Sequence, residues 1–182
     1  ENIFKKAHVV LSQLKRATSL HDSQTFGRLY QVYVRPLLEA AAPAWNPMKK
    51  ESVNLLEKVQ RRATRIITDI STLSYDERLD ALDMDSLEER RRRGDLIQCY
   101  KVMNGHGDID PDTWFSFVRA RHDMNTRTHA ADHILLEKCQ RNVRKNFYTN
   151  RVAKDWNELP FEVKNLCSTN AFKNLYDLWH RS

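Results

Sequence analysis

The segment 50–70 restricts the fold of this chain more than any other stretch. Leu55, Leu56, Val59, Ala63, Ile66, Ile67 and Ile70 recur at intervals of three and four, the period of an α-helix. At ~100° per residue, Lys58, Arg61, Arg62 and Arg65 share an arc about 100° wide on the opposite side, with no acidic residue among them. One face must pack inward, and the other presents four cations.

The rest of the chain has a similar pattern. Only 4 Gly and 5 Pro interrupt 182 residues, and few breakers favour helices. Ile3, Ala7, Val10, Leu11 and Leu14 predict a helix over 2–19. Asp22 or Ser23 can cap a second, striped by Phe26, Leu29, Tyr30, Tyr33, Val34, Leu37 and Leu38. Pro36 lies inside that stripe and cannot donate to the carbonyl of Val32, so a kink or break is expected there. Pro43 and Pro47 bracket Ala44-Trp45-Asn46 as a turn. Two S-x-x-E capping boxes, at Ser74 and Ser86, open a short helix to about Leu82 and a longer one to Met103, which Asn104-Gly105 stops. Asp110-Pro111 starts a short helix through Trp114, Phe115 and Phe117. Periodicity lapses over 119–135, a loop. Ile134-Leu135-Leu136 suits a short strand. A helix near 147–157, a turn at Leu159-Pro160 and a last helix capped by Ser168 complete the chain. The expected architecture is mainly α: a helical bundle over 1–105, a linker with one short helix over 106–133, and a smaller helical segment over 134–182.

Hydrophobic residues make up 41% and charged ones 30%, a balance that suits a folded core and excludes a disordered tail. The net charge of +6 suits a polyanionic partner, DNA or RNA. Cys99, Cys139 and Cys167 are odd in number and widely spaced, which signals neither a zinc site nor a disulfide framework and fits a nuclear or cytoplasmic protein. No apolar run approaches the ~20 residues of a membrane span, and no secretory leader is visible. The first residue is Glu1 rather than Met, so the chain reads as a fragment, a processed product or a trimmed form of a longer one.

The sequence offers little for catalysis. A polymerase needs clustered carboxylates to hold two metal ions, and no Asp-Asp pair occurs. Asp83-Met84-Asp85 and Asp108-Ile109-Asp110 each precede a predicted helix and read as caps or first-turn charges. No glycine-rich phosphate loop, GxSxG or HExxH is present. His129 and His133 have metal-ligand spacing, but no Cys or acid completes a set. No catalytic residue, metal site or cofactor is therefore expected.

The basic clusters carry the functional signal. The arc of Lys58, Arg61, Arg62 and Arg65 can track a phosphate backbone. In the run Arg90–Arg93, Glu88 and Glu89 stand four residues before Arg92 and Arg93, the favoured order for helical ion pairs. That leaves Arg90 and Arg91 for an outside partner. A third cluster holds Lys138, Arg141, Arg144, Lys145, Arg151 and Lys154 with Phe147, Tyr148 and Trp156 among them. Such a mixture suits phosphate contact and base stacking on single strands, although Phe147, Val152 and Trp156 read better as core.

Taken in order, these segments resemble a known family. Leu29-Tyr30, Val34-Arg35-Pro36-Leu37-Leu38-Glu39, Ala44-Trp45-Asn46-Pro47 and Leu56-Glu57-Lys58-Val59-Gln60-Arg61-Arg62-Ala63-Thr64-Arg65 are similar to the region after the polymerase palm in non-LTR (LINE-type, CR1- and jockey-like) retrotransposon reverse transcriptases. The likeness continues through Leu73-Ser74-Tyr75, Glu77-Arg78-Leu79, Leu87-Glu88, Arg90-Arg91, Gly94-Asp95-Leu96, Tyr100-Lys101, Asn104-Gly105, Lys145-Asn146-Phe147-Tyr148, Asn150-Arg151, Trp156-Asn157 and Leu159-Pro160. It rests on the ordered set and on no single motif. Ala40-Ala41-Ala42 departs from it, standing where bulkier or polar residues are common, and no zinc knuckle is present. The resemblance implies a thumb and following C-terminal segment that is helical, holds a template–primer duplex or single strand, and meets a palm carrying the catalytic aspartates upstream. A helical protein-interaction module derived from such an element is the alternative.

Overall fold

The computed structural model describes residues 2–47, 49–106, 108–117 and 133–181. Among them 69% are helical and none forms an extended strand. The mainly α class is thus as expected. The expected loop over 119–135 and His129 lie largely or wholly outside the described residues.

The chain divides into two compact units, Glu1–Arg91 and Arg92–Ser182. The first contains α1 (Asn2–Ala17) and α2 (Ser23–Leu29), which runs through a π turn (Tyr30–Val34) into α3 (Arg35–Glu39). Next come α4 (Lys50–Ile66), a 3-10 turn (Thr68–Ile70), α5 (Tyr75–Ala81) and the start of α6 (Leu87–Met103). The second unit takes the rest of α6, then α7 (Pro111–Trp114), α8 (Asn142–Lys145), α9 (Tyr148–Glu158), α10 (Phe161–Lys164) and α11 (Thr169–Arg181). The division falls inside α6, not at 105. The reason is burial: Leu87 belongs to the first core, while Leu96, Cys99, Tyr100 and Val102 belong to the second. Asn104-Gly105 ends a helix without ending a domain. Gly105 takes a positive φ of 65° there, and His106 N–H donates to the carbonyl of Lys101 at 2.8 Å, closing the helix end.

The helix starts follow the capping signals. Asp22 accepts from Thr25 N–H at 2.7 Å, and Asp110 from Asp112 N–H at 3.1 Å. Ser168 accepts from Ala171 N–H at 3.1 Å, and Ser86 from Glu89 N–H at 3.1 Å. At Ser74 the reciprocal box closes: Glu77 N–H reaches the serine hydroxyl and Ser74 N–H reaches the glutamate carboxylate at 2.8 Å. At Pro36 the structure excludes the break. The helix neither breaks nor stops before it; the preceding turn widens to π, with Arg35 N–H donating to the carbonyl of Tyr30. One inserted residue per turn accommodates the missing donor and the proline ring.

The first core gathers Ala7, Leu11, Phe26, Tyr30, Val34, Leu38, Leu56, Val59, Ala63 and Ile67. In α4 the expected inward face holds at Leu56, Val59, Ala63 and Ile67, while Ile66 is half-buried and Leu55 is exposed. Leu55 lies one position too early in the stripe, on the side where α4 meets solvent. The helix also ends at Ile66, because Ile67 turns to an extended backbone before the 3-10 turn. The second core is aromatic, with Tyr100, Tyr148, Trp156, Phe172 and Tyr176 buried; the Tyr100 and Phe172 rings stack at 4.4 Å. The strand expected at Ile134-Leu135-Leu136 reduces to one antiparallel bridge between Phe117 and Ile134. On its other side, the Asn157 amide takes the place of a neighbouring strand. It accepts from Ile134 N–H at 2.9 Å and donates to the Ile134 carbonyl at 2.8 Å.

These positions make stability testable. Ile67→Ala should cost about 2–5 kcal/mol, because the site is closed on all sides. Leu55→Ala should change stability by only about 0.5 kcal/mol. Urea unfolding midpoints of the two variants measure the contrast.

Candidate functional site

Helix α4 carries three faces rather than two. Besides the apolar face and the cationic arc, Glu57, Gln60 and Thr64 are buried. They repeat at three and four, so they too share one side. Each has its partners, as buried polar groups require. Gln60 accepts from the Tyr30 hydroxyl at 2.8 Å and donates to the Tyr75 hydroxyl at 3.1 Å and to the Asp85 carbonyl at 3.0 Å. The Tyr75 hydroxyl in turn donates to the Glu57 carboxylate. Glu57 also accepts from Leu87 N–H at 3.2 Å, one of the donors left over at the start of α6, where negative charge is favoured. Burial and the neighbouring Glu57 carboxylate push the Tyr75 phenol well above its ordinary pKa, so it remains a donor. A wrong rotation of α4 about its axis would strand these groups, at about 1–3 kcal/mol for each buried group left unsatisfied.

The network therefore fixes which side of α4 faces outward. Lys58, Arg61, Arg62 and Arg65 are all exposed, as the sequence pattern anticipates. Arg61, Arg62 and Arg65 line a cleft of about 740 Å³ with Lys15 of α1, Tyr75 and Arg78 of α5, and Ile66. Lys58 lies outside that lining. Five cations converge on the cleft, and no carboxylate is among the described residues that line it. The Arg61 guanidinium lies over the Tyr75 ring at 4.0 Å. Arg78 is buried and held in place, donating to the Thr64 hydroxyl at 3.1 Å and to the Leu73 carbonyl at 2.7 Å. Arg62 donates to His8 Nδ1 at 3.3 Å. Partial burial and then the Arg62 charge lower the His8 pKa, which keeps the imidazole neutral as an acceptor.

Other expected contact residues are used inside the protein. Arg90 pairs with Glu39 through both carboxylate oxygens. Arg91 is buried. Neither is placed for an outside partner, which corrects the reading of the arginine run. Arg92 and Arg93 do have structural roles, forming two-pronged pairs with Asp155 and Asp177. Arg151 is also structural. It grips Asp95 at 2.7 and 3.0 Å and donates to the Asn146 carbonyl at 3.2 Å. Arg141, Arg144 and Lys145 remain exposed, with Arg144 paired to Glu137 at 2.7 Å and set over the Phe147 ring at 5.6 Å. Of the aromatics, Tyr148 and Trp156 are core, while Phe147 is exposed.

Sequence reasoning missed Lys15, Tyr75 and Arg78 as parts of one site. They lie on two other helices, and only packing brings them to α4. The signal within reach was Arg78, which shares a segment of α5 with the Ser74 capping box. Among the described residues no group of His, Cys, Asp and Glu could hold a metal ion, and no helix is long and apolar enough to cross a membrane.

No family model matches this sequence, and no solved structure does. The chain is similar to an uncharacterized protein of Caenorhabditis elegans, 28% identical over 108 residues, which covers 58% of this chain and 54% of that protein. The chain thus spans about half the length of the curated relative it matches.

The sorting of arginines predicts different losses. The Arg151 and Asp95 side chains are 15% and 7% exposed, so Arg151→Gln strands a buried carboxylate and should cost about 3–5 kcal/mol. The Arg144 side chain is 52% exposed, and Arg144→Gln should stay within about 0.5 kcal/mol. Thermal and urea unfolding of both variants check this.

Proposed function

We propose that this chain is a nucleic-acid-binding, non-catalytic segment of a retrotransposon reverse transcriptase, the thumb and the region after it, which holds the template–primer. The observation that carries the reading is the cleft with five cations and, among the described residues that line it, no carboxylate. Like charges crowded in this way repel one another, and a polyanion offsets that cost while releasing its own counterions. The buried network supports the reading because it holds the cationic side of α4 outward. The family resemblance adds to it: Glu57, Lys58, Gln60, Arg61, Arg62, Thr64 and Arg65 all belong to one of the segments on which the likeness rests. Phosphate contact by arginine and lysine positions a strand without reading its bases, as holding a template–primer of any sequence requires. The catalytic aspartates belong, on this reading, to a palm upstream, and the chain alone neither extends a primer nor cuts DNA.

A second reading, a protein-interaction module, is favoured by one observation. Ile3, Phe4, Trp45, Pro47, Leu55 and Leu56 line a mainly apolar hollow of about 640 Å³ in the first unit. An exposed apolar surface of this kind suits a protein partner, such as the palm.

The double variant Arg61→Gln/Arg65→Gln separates the two. Its affinity for a template–primer duplex should fall roughly ten- to thirtyfold at ~0.15 M salt, and the salt slope should flatten by about two units. Its unfolding midpoint should barely move, since both side chains are exposed. Unchanged affinity with the fold intact would overturn the nucleic-acid role and leave the interaction module.

A further inference from the structure

Three serines and threonines of the sequence stand three residues after an arginine: Ser19 after Arg16, Thr64 after Arg61 and Thr68 after Arg65. A guanidinium at that spacing is a feature that a protein kinase reads with its own carboxylates, through paired charge-assisted hydrogen bonds. The sequence does not choose among the three; the structure does. Thr64 is 1% exposed, and its hydroxyl holds Arg78 at 3.1 Å. Thr68 is tied by its N–H and its hydroxyl to the carbonyl of His21, at 2.9 and 3.2 Å. Ser19 is exposed, and among the described residues its hydroxyl has no hydrogen-bond partner. It lies between two anchors in the segment that joins α1 to α2. On one side Thr18 donates its N–H to the Leu14 carbonyl at 3.1 Å, and on the other His21 accepts from Thr68. Leu20, the residue after Ser19, is 62% exposed and belongs to neither core. Lys15 and Arg16, in the last turn of α1, are exposed as well. A cation, an acceptor hydroxyl and an apolar side chain are thus presented together on a connecting segment, where surface chemistry concentrates.

We propose that Ser19 is a phosphorylation site for an arginine-directed serine/threonine kinase, and that its phosphate holds Lys15 and Arg16 and so withdraws Lys15 from the cationic cleft. The site stands on surface geometry alone; its effect on binding rests on the nucleic-acid reading above. The kinase's nucleoside triphosphate supplies the group. A bond forms from Ser19 Oγ to the γ-phosphorus as the bond from that phosphorus to the β,γ-bridging oxygen breaks. The nucleoside diphosphate leaves with the electron pair, and the serine proton passes to the kinase's base. The product carries a charge of about −1.5 to −2 at neutral pH. Ser19 follows Arg16 by three residues and Lys15 by four, within roughly 10 Å along the backbone, so both long side chains reach it. Their charges also offset the cost of an anion at the C-terminal end of α1. The cleft then has one cation fewer and a negative neighbour, and both changes weaken its hold on a polyanion.

The test treats the full chain with a purified arginine-directed kinase and magnesium ATP, and maps the phosphate by tandem mass spectrometry. A single phosphate on Ser19 is expected. Ser19→Ala should abolish it, and Arg16→Ala should slow its addition roughly tenfold. Phosphate on Thr64 or Thr68 with Ser19 unmodified, or on no residue, would overturn the site. Ser19 is exposed, so an unchanged urea midpoint establishes that Ser19→Ala is folded. Anisotropy of a fluorescent oligothymidylate of about twelve nucleotides, over a salt series, then reads the consequence. Phosphorylation should weaken binding roughly tenfold at ~0.15 M salt and flatten the salt slope by about one to two units. Kinase-treated Ser19→Ala should bind as the untreated chain does. Unchanged affinity of the chain phosphorylated on Ser19 would overturn the switch. Failure of the unmodified chain to bind the probe would overturn the proposed function and the switch with it, while the phosphate map still decides the site.

Discussion

Gln60 has no exposed surface, yet both of its amide hydrogens and its carbonyl oxygen are engaged inside the first unit. Through it, Tyr30 on the π turn, Tyr75 on α5 and the backbone just before α6 are tied to one position on α4. Glu57, a turn away, extends the tie to the first amide of α6. Hydrophobic burial alone would tolerate small rotations of α4, since apolar contacts have no direction. Hydrogen bonds do not tolerate them. The cost of stranding several buried groups together exceeds about 3 kcal/mol, a large part of the total stability of a domain this size. The outward direction of the arginines therefore follows from polar residues on the inner side of the same helix.

Arginine is used in two opposite ways, and the first unit shows both, since Arg90 pairs there with Glu39. In the second unit, Arg92, Arg93 and Arg151 each meet an aspartate through two guanidinium nitrogens, joining residues 56 to 84 positions apart in sequence. There the guanidinium acts as a fastener, matched in shape to a carboxylate. In the first unit, Arg61, Arg62 and Arg65 converge with no carboxylate among the described residues that line their cleft. Charge count does not separate these roles; the presence of a facing acid does.

Much of the fold was legible from the chain. Ser74, Ser86, Asp22, Asp110 and Ser168 mark helix starts because a capping side chain sits next to the backbone it satisfies, so its information is local. The cationic arc of α4 was legible for the same reason, since helical geometry alone groups those residues. What escaped depends on distant partners. Arg90 looked free because Glu39 lies 51 residues away, and Arg151 because Asp95 lies 56 away. The buried roles of Gln60 and Glu57 could not be read from α4 alone because their partners belong to other elements. The boundary at 105 was misplaced because a glycine stop is visible in sequence, whereas the transfer of a continuous helix from one core to another is visible only in burial.

On the proposed reading, the outward face of α4 and Lys15 of α1 hold a bound strand. Lysine acetylation footprinting tests it directly. Lys15 and Lys6 lie on opposite sides of α1, nine residues apart, and both are exposed, as is Lys50 at the start of α4. With an oligonucleotide bound, Lys15 should become protected while Lys6 and Lys50 react at their unbound rates. Protection spread equally over all three lysines, or confined to Lys6 and Lys50, would contradict the account.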